Sequence, residues 1–139
     1  MPIKTYTEAV ETLFKKEETL DYSLKKMKEA VAFFDHPEKT MKIIHVTGTN
    51  GKGSVCAMVF SILKHAGKKV GLFISPHIVE IRERFQTEKG MISEQDFVDI
   101  VNQVVACPIQ LSYFEKCVMI AFLFFAKMEC EYVILEVGM

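Results

Sequence analysis

With 139 residues, half of them hydrophobic and a quarter charged, the chain is long enough for one domain with a buried core and too apolar to be disordered. Its 17 basic residues stand against 18 acidic ones, a balance that excludes the strongly basic surface of a nucleic-acid binder and favours small-molecule partners. Residues 1–13 lack the apolar core of a signal peptide, and the longest apolar run, 117–126, falls well short of the roughly 20 residues that span a bilayer, so a cytoplasmic protein without membrane contact is expected.

Residues 7–16 and 21–34 carry apolar side chains at helical spacing (Val10, Leu13, Phe14; Leu24, Met27, Val31, Phe34), which predicts two amphipathic helices. Asp35-His36-Pro37 ends the second, because the residue before a proline is pushed out of the α region. A first strand follows over about 42–47. It leads into Val46-Thr47-Gly48-Thr49-Asn50-Gly51-Lys52-Gly53-Ser54, which reads as a phosphate-binding loop. Its glycines bring backbone N–H groups close to an anion, the following helix adds partial positive charge, and Lys52 can reach the β- and γ-phosphates. The loop departs from G-x-x-x-x-G-K-[ST] twice: Val46 holds the first glycine position, and Gly53 follows the lysine where a magnesium-binding hydroxyl is usual. Ser54 or another element must then supply that ligand. The bland alternative is a glycine-rich turn that binds nothing.

A helix is expected from Ser54 to Ala66, closed by Gly67, then a strand from Lys69 to Ile74. As a βαβ unit this places the loop and Ser75 at the carboxyl ends of neighbouring parallel strands, where open α/β sheets bind ligands. Residues 75–90 are polar and weakly periodic, and read as a functional surface loop. Ser93 with Asp96 caps a helix ending near Cys107-Pro108. Ser112 and Glu115 form a capping box for a helix, 112–129, that is apolar almost all round and should lie deep. Residues 132–138 form a buried last strand with one acid, Glu136. Cys56, Cys107, Cys117 and Cys130 have no paired spacing and suit reduced core thiols better than disulfides or zinc. The fold class is α/β, a mostly parallel sheet flanked by helices.

An acid at the end of an apolar strand is costly to bury unless it meets a cation, so Glu136 is a candidate magnesium ligand; a solvent-facing strand end is the alternative. Ser75 offers the hydroxyl that Gly53 cannot, though a serine turn before Pro76 has the same spacing. His45 reads as a core or edge histidine. His77, Arg82 and Arg84 either contact an anionic substrate or solvate the loop.

Taken together, residues 44–54, Ser75-Pro76-His77, Arg82-Glu83-Arg84, Ser112-Tyr113-Phe114-Glu115 and Leu135-Glu136-Val137-Gly138 resemble the folylpolyglutamate synthase/dihydrofolate synthase family of the Mur ligase superfamily. The resemblance covers nearly the whole chain. The Gly-Lys-Gly-Ser ending points to the folate branch, since the cell-wall Mur ligases usually have Gly-Lys-Thr or Gly-Lys-Ser. It implies a cytoplasmic, monomeric, ATP- and Mg²⁺-dependent ligase that phosphorylates a folate or dihydropteroate carboxylate and joins it to the amine of glutamate. Gly48, Thr49, Asn50, Gly51, Lys52, Gly53 and Ser54 would hold the triphosphate, with Lys52 and Glu136 in catalysis and Ser75 and Glu136 on the metal. His77, Arg82 and Arg84 would border the folate. In the family a further metal-binding histidine, a lysine and a C-terminal glutamate-binding domain come after these segments, so residues 1–139 correspond to the N-terminal ATP-binding part and are expected to be inactive alone. The competing expectations are a non-catalytic nucleotide-binding fragment and a small P-loop kinase or GTPase.

Overall fold

The computed structural model describes residues 2–15 and 23–136. Branched and aromatic residues alternate along β1 (Lys42–Val46), β2 (Val70–Phe73) and β5 (Tyr132–Glu136), and pair as parallel neighbours. Two short strands, β3 (Phe85–Thr87) and β4 (Gly90–Met91), add an antiparallel hairpin, so the sheet order is β1-β5-β2-β3-β4. This corrects the expectation that β1 and β2 are neighbours. The last strand in sequence, Val133-Ile134-Leu135 at its buried centre, fills the place between them.

The alternation assigns each face. Cys56, Val59, Phe60 and Leu63 of helix α3 (Lys52–His65) pack on Val70, Leu72 and Ile134. On the other face lies α5 (Tyr113–Lys127), flanked by α1 (Tyr6–Phe14), α2 (Lys25–Phe33) and α4 (Glu94–Ala106). As expected, α5 lies deep: Met119, Ile120, Phe124 and Phe125 are buried, each stabilising the fold by about 1.5–3 kcal/mol. The Phe125 ring packs against the sheet where β2 has Gly71; a Cβ there would stand 2.6 Å from the ring. On α3, Val55, Met58 and Ile62 are exposed, as are Ile78 and Val79 in the connection after β2.

Helix ends follow their sequence signals. Ser93 Oγ accepts from the Asp96 N–H at 3.0 Å, and Ser112 and Glu115 exchange both capping-box bonds at 3.0 and 3.2 Å. Gly67 sits at φ 77°, with its N–H donating to Lys64 O and that of Lys68 to Leu63 O. α2 stops at Phe33, and Asp35 and His36 leave it in the left-handed region, at φ 59° and 54°, before a 3-10 turn (Pro37–Thr40). The expected extensions of the first two helices to residue 16 and back to residues 21 and 22 lie outside the described residues, as do residues 137–138 of the last strand. Asn102 on α4 was not anticipated: its amide clamps the N-terminal segment, accepting from Ile3 N and donating to Ile3 O, both at 2.8 Å.

Residues 75–90 are not the surface loop expected from their polarity. They form a 3-10 turn (Ile81–Arg84) and the β3–β4 hairpin, with Ile81, Arg84, Phe85 and Thr87 buried. Charged residues concealed the element: Arg82 pairs with Glu80, Glu83 accepts from backbone N–H groups, and Arg84 donates to His77.

Candidate functional site

The parallel register gathers three segments at one edge. Val46, the last residue of β1, is paired with Glu136, and Leu135 is paired with Phe73, two residues before Ser75. The loop 47–51, the start of the 75–80 connection and the carboxylate of Glu136 therefore leave the sheet side by side, although β1 and β2 are not adjacent.

The backbone of the loop has features that suit an anion. Gly51 takes φ 77°, a left-handed conformation that costs other L-residues strain, and α3 begins immediately after it, two residues earlier than the pattern suggested. No side chain caps this helix and no acid occupies its first turn; α2 also lacks both, whereas Thr5, Ser93 and Ser112 cap α1, α4 and α5. Lys52, Gly53 and Ser54 thus open a helix whose leading N–H groups and partial positive charge suit an anion. A Cβ on Gly53 would meet nothing within 4 Å, so protein packing does not demand a glycine there. Beneath the loop lies Cys56, fully buried; burial pushes its thiol above the ordinary value, the negative charge of Glu136 adds to the shift, and Lys52 opposes it.

Magnesium takes hard oxygen ligands and is usually held by one or two protein groups plus phosphate. The hydroxyl of Ser75 and the carboxylate of Glu136 fit that chemistry. Among the described residues there is no cluster of three or more His, Cys, Asp or Glu side chains that would form an all-protein cage. All four cysteines are unpaired and buried, as expected of core thiols.

From Ser75 the chain enters a tightly held turn. Glu83 accepts hydrogen bonds from the N–H groups of Ile78, Val79 and Glu80 at 2.9, 2.8 and 2.8 Å, and these bonds hold its carboxyl below the usual range. Arg84, only 8% exposed, donates from Nε to His77 Nδ1 at 2.8 Å and lies 5.7 Å over the ring of Tyr113. Burial first, then the neighbouring guanidinium, lowers the His77 pKa, with Glu83 opposing. Burial likewise raises Tyr113 to about 12 and Cys117 to about 11, the latter with Arg84 opposing. Arg82 turns elsewhere: it pairs with Glu80 at 2.7 Å, donates to Ile92 O at 3.0 Å and lies over the Tyr6 ring.

Two cavities open beside these groups. One, of about 380 Å³, lies at the strand ends and is lined by Leu24, His45, Phe73, Phe114, Leu135 and Glu136 among others. A second, of about 300 Å³, runs between α1 and the turn, with Tyr6, Phe14 and His77 in its wall. Phe14 stacks on Tyr113 at 5.0 Å, next in sequence to Phe114, so the two follow one another along the start of α5.

Of the residues singled out from sequence, the loop 48–54, Ser75 and Glu136 meet at the sheet edge, and His77 and Arg84 form one unit. Arg82 stands apart in its own contacts. Sequence reasoning passed over Glu83 and Tyr113. The Glu80-x-x-Glu83 spacing of a capping box, with Glu80 in the position Ser or Thr usually holds, was the available signal for the first.

No family model matches the chain. A dihydrofolate synthase/folylpolyglutamate synthase of Bacillus subtilis is 39% identical over 125 residues, which is 84% of this chain and 29% of that protein. Among solved structures, a bifunctional folylpolyglutamate synthase/dihydrofolate synthase of Yersinia pestis complexed with AMPPNP and a Mn ion superposes with a TM-score of 0.91 at 31% identity, over 98% of this chain and 34% of that one. A folylpolyglutamate synthase complex with AMPPCP and folate gives a TM-score of 0.91 at 26% identity, covering 98% and 36%. The chain therefore spans about a third of the length of the proteins it matches.

Proposed function

The chain is a homologue of the folylpolyglutamate and dihydrofolate synthases of the Mur ligase superfamily, and we propose that it is the nucleotide- and acceptor-binding portion of an ATP-dependent ligase that joins glutamate to a folate or dihydropteroate. The observation that carries this reading is the register that brings the uncapped start of α3, the Ser75 connection and Glu136 to one sheet edge. The N–H groups of residues 48–54 and the Lys52 ammonium would hold the triphosphate. Ser75 and Glu136 would hold magnesium, which would offset phosphate charge and align the γ-phosphoryl group. The strand-end cavity, walled by Phe73, Phe114 and Leu135, would receive the apolar body of the acceptor, with its carboxylate toward the loop. A carboxylate oxygen then attacks the γ-phosphorus and ADP leaves. The amine of glutamate attacks the acyl carbon, and phosphate leaves as the amide forms.

We assign binding of the incoming glutamate to protein outside residues 1–139. Near-attack positioning of two reactants can contribute roughly 7–11 kcal/mol, and a chain that holds the nucleotide and the acceptor without the glutamate forgoes it for the amide-forming step. The reading is tested by calorimetry with ATP and Mg²⁺ on the parent and Lys52→Ala, beside a glutamylation assay of this chain and of one extended through the reading frame. Loss of ATP binding in the variant, and product from the extended chain alone, are expected. Equal ATP affinity in both proteins would overturn the loop assignment, and equal turnover by both lengths would overturn the division of labour.

A further inference from the structure

We infer, resting on the folate-ligase reading above, that His45 is the group of the strand-end cavity that recognises the acceptor's reacting carboxylate, donating a ring N–H to the oxygen that does not attack phosphorus. The strand register sets the ring in place. Ile44 and Val46 pack with Cys56 on the α3 side of the sheet, so His45 between them belongs to the α5 side. It is paired with Leu135, and Leu135 with Phe73, which makes His45, Leu135 and Phe73 one row across β1, β5 and β2. All three line the cavity, and Phe114, Val118 and Phe122, successive turns of α5, stand over them.

Among the described lining residues only His45 and Glu136 have polar side chains. Glu136 follows Leu135 and belongs with Ile134 to the α3 side, where its charge reaches Cys56, and a carboxylate repels an anion. The imidazole is therefore the one donor that an acidic ligand meets among apolar walls. His45 is exposed, and among the described residues its ring makes no hydrogen bond or ion pair, so the fold does not use its polarity. It is also the last residue on this face before the chain leaves the sheet, since Val46 ends β1 and the loop 47–51 follows. The donor thus stands where the apolar cavity meets the phosphate loop. A carboxylate held there by one oxygen has the other free: that oxygen bonds to the γ-phosphorus as the bond from phosphorus to the ADP oxygen breaks. The held oxygen becomes the carbonyl of the acyl phosphate, and it takes the negative charge when the amine adds, with the same N–H facing it.

The test uses the whole chain and two probes: whichever of tetrahydrofolate and dihydropteroate binds it more tightly, and the analogue of that compound with a carboxamide in place of the reacting carboxylate. The amide keeps one acceptor oxygen and the shape, and loses the charge. Calorimetry should show the parent binding the acid about tenfold more tightly than the amide, the scale that separates a charge-assisted hydrogen bond from a neutral one. His45→Ala should bind acid and amide alike, with ATP affinity and Tm unchanged. His45→Gln, whose side-chain N–H can replace that of the ring, should keep most of the preference. An acid preference that survives in His45→Ala, or an equal loss of acid and amide binding in that variant, would overturn the inference while leaving the cavity as the acceptor site. ATP binding with neither acceptor bound would overturn the cavity assignment and the role of His45 together, and ATP binding that Lys52→Ala does not affect would show that the nucleotide site itself had failed.

Discussion

Replacing Gly71 by alanine tests how tightly the sheet and α5 are fitted together. A Cβ at this position would lie 2.6, 2.8 and 2.9 Å from Cδ1, Cε1 and Cγ of Phe125. Because Cγ is the root of the ring, rotating the ring about its own axis cannot relieve the contact; the whole side chain must move, within a core where Phe124 sits 5.6 Å away. Overpacking of this kind costs roughly 1–3 kcal/mol, against about 0.4–1 kcal/mol gained by restricting the unfolded chain. A net loss of about 1–2 kcal/mol follows, which for a domain of this size lowers Tm by roughly 3–10 °C. Urea unfolding of the parent, Gly71→Ala, Phe125→Leu and the double variant forms a cycle. The smaller leucine should accommodate the methyl group, so the two losses should not add. A Gly71→Ala protein within about 0.5 kcal/mol of the parent, or strict additivity in the double variant, would refute the packing argument.

Gly53 should behave in the opposite way: Gly53→Ala has open space and a helical backbone, so urea unfolding should show equal or slightly higher stability, while calorimetry should show weakened ATP binding as the methyl group crowds the phosphates. Glu136→Gln keeps the shape and removes the charge a hard cation needs, so the magnesium dependence of nucleotide binding should flatten with Tm nearly unchanged; identical magnesium titrations would return Glu136 to an ordinary strand end. The raised thiols of Cys117 and Cys130, near 11 and 12 against 9 in an open chain, favour the folded state fully below about pH 9 and lose that contribution as pH rises through their folded values. Urea midpoints should therefore fall between pH 8 and 10.5, and less so in Cys117→Ala; a flat profile would contradict this. Truncating Asn102 to alanine leaves Ile3 N and O without their amide partner and should cost about 1–3 kcal/mol, with faster hydrogen exchange at Ile3 as the local sign.

Local chemistry was legible in the sequence wherever one short segment decided it. Capping at Ser93 and Ser112, the left-handed Gly67, the buried α5 and the loop before α3 all follow from neighbours within a few positions. The start of α3 was placed two residues late because Lys52 and Gly53 belong at once to the loop and to the first helical turn. The position of β5 between β1 and β2 was not legible, since both outer strands have the apolar faces to pair with any similar strand. The hairpin was hidden for a different reason. Arg84 looks like a surface residue until His77 and Tyr113 are seen to enclose it, and those partners lie 7 and 29 positions away.

The sheet order also bears on how this protein comes into being on the ribosome. β1 and β2 are made early, yet neither has its parallel partner until Tyr132–Glu136 has been synthesised. Local helices and the β3–β4 hairpin can form as the chain emerges, but the sheet as a whole cannot close. At about 5–20 residues per second, the wait between Phe73 and Glu136 lasts roughly 3–13 s, during which the two inner strand faces have no common neighbour. Glu136 arrives in the same pentapeptide that joins the halves. The carboxylate proposed as a metal ligand and the strand that makes the sheet continuous are therefore delivered in one event, so the nascent chain has no closed sheet without the acid already in place.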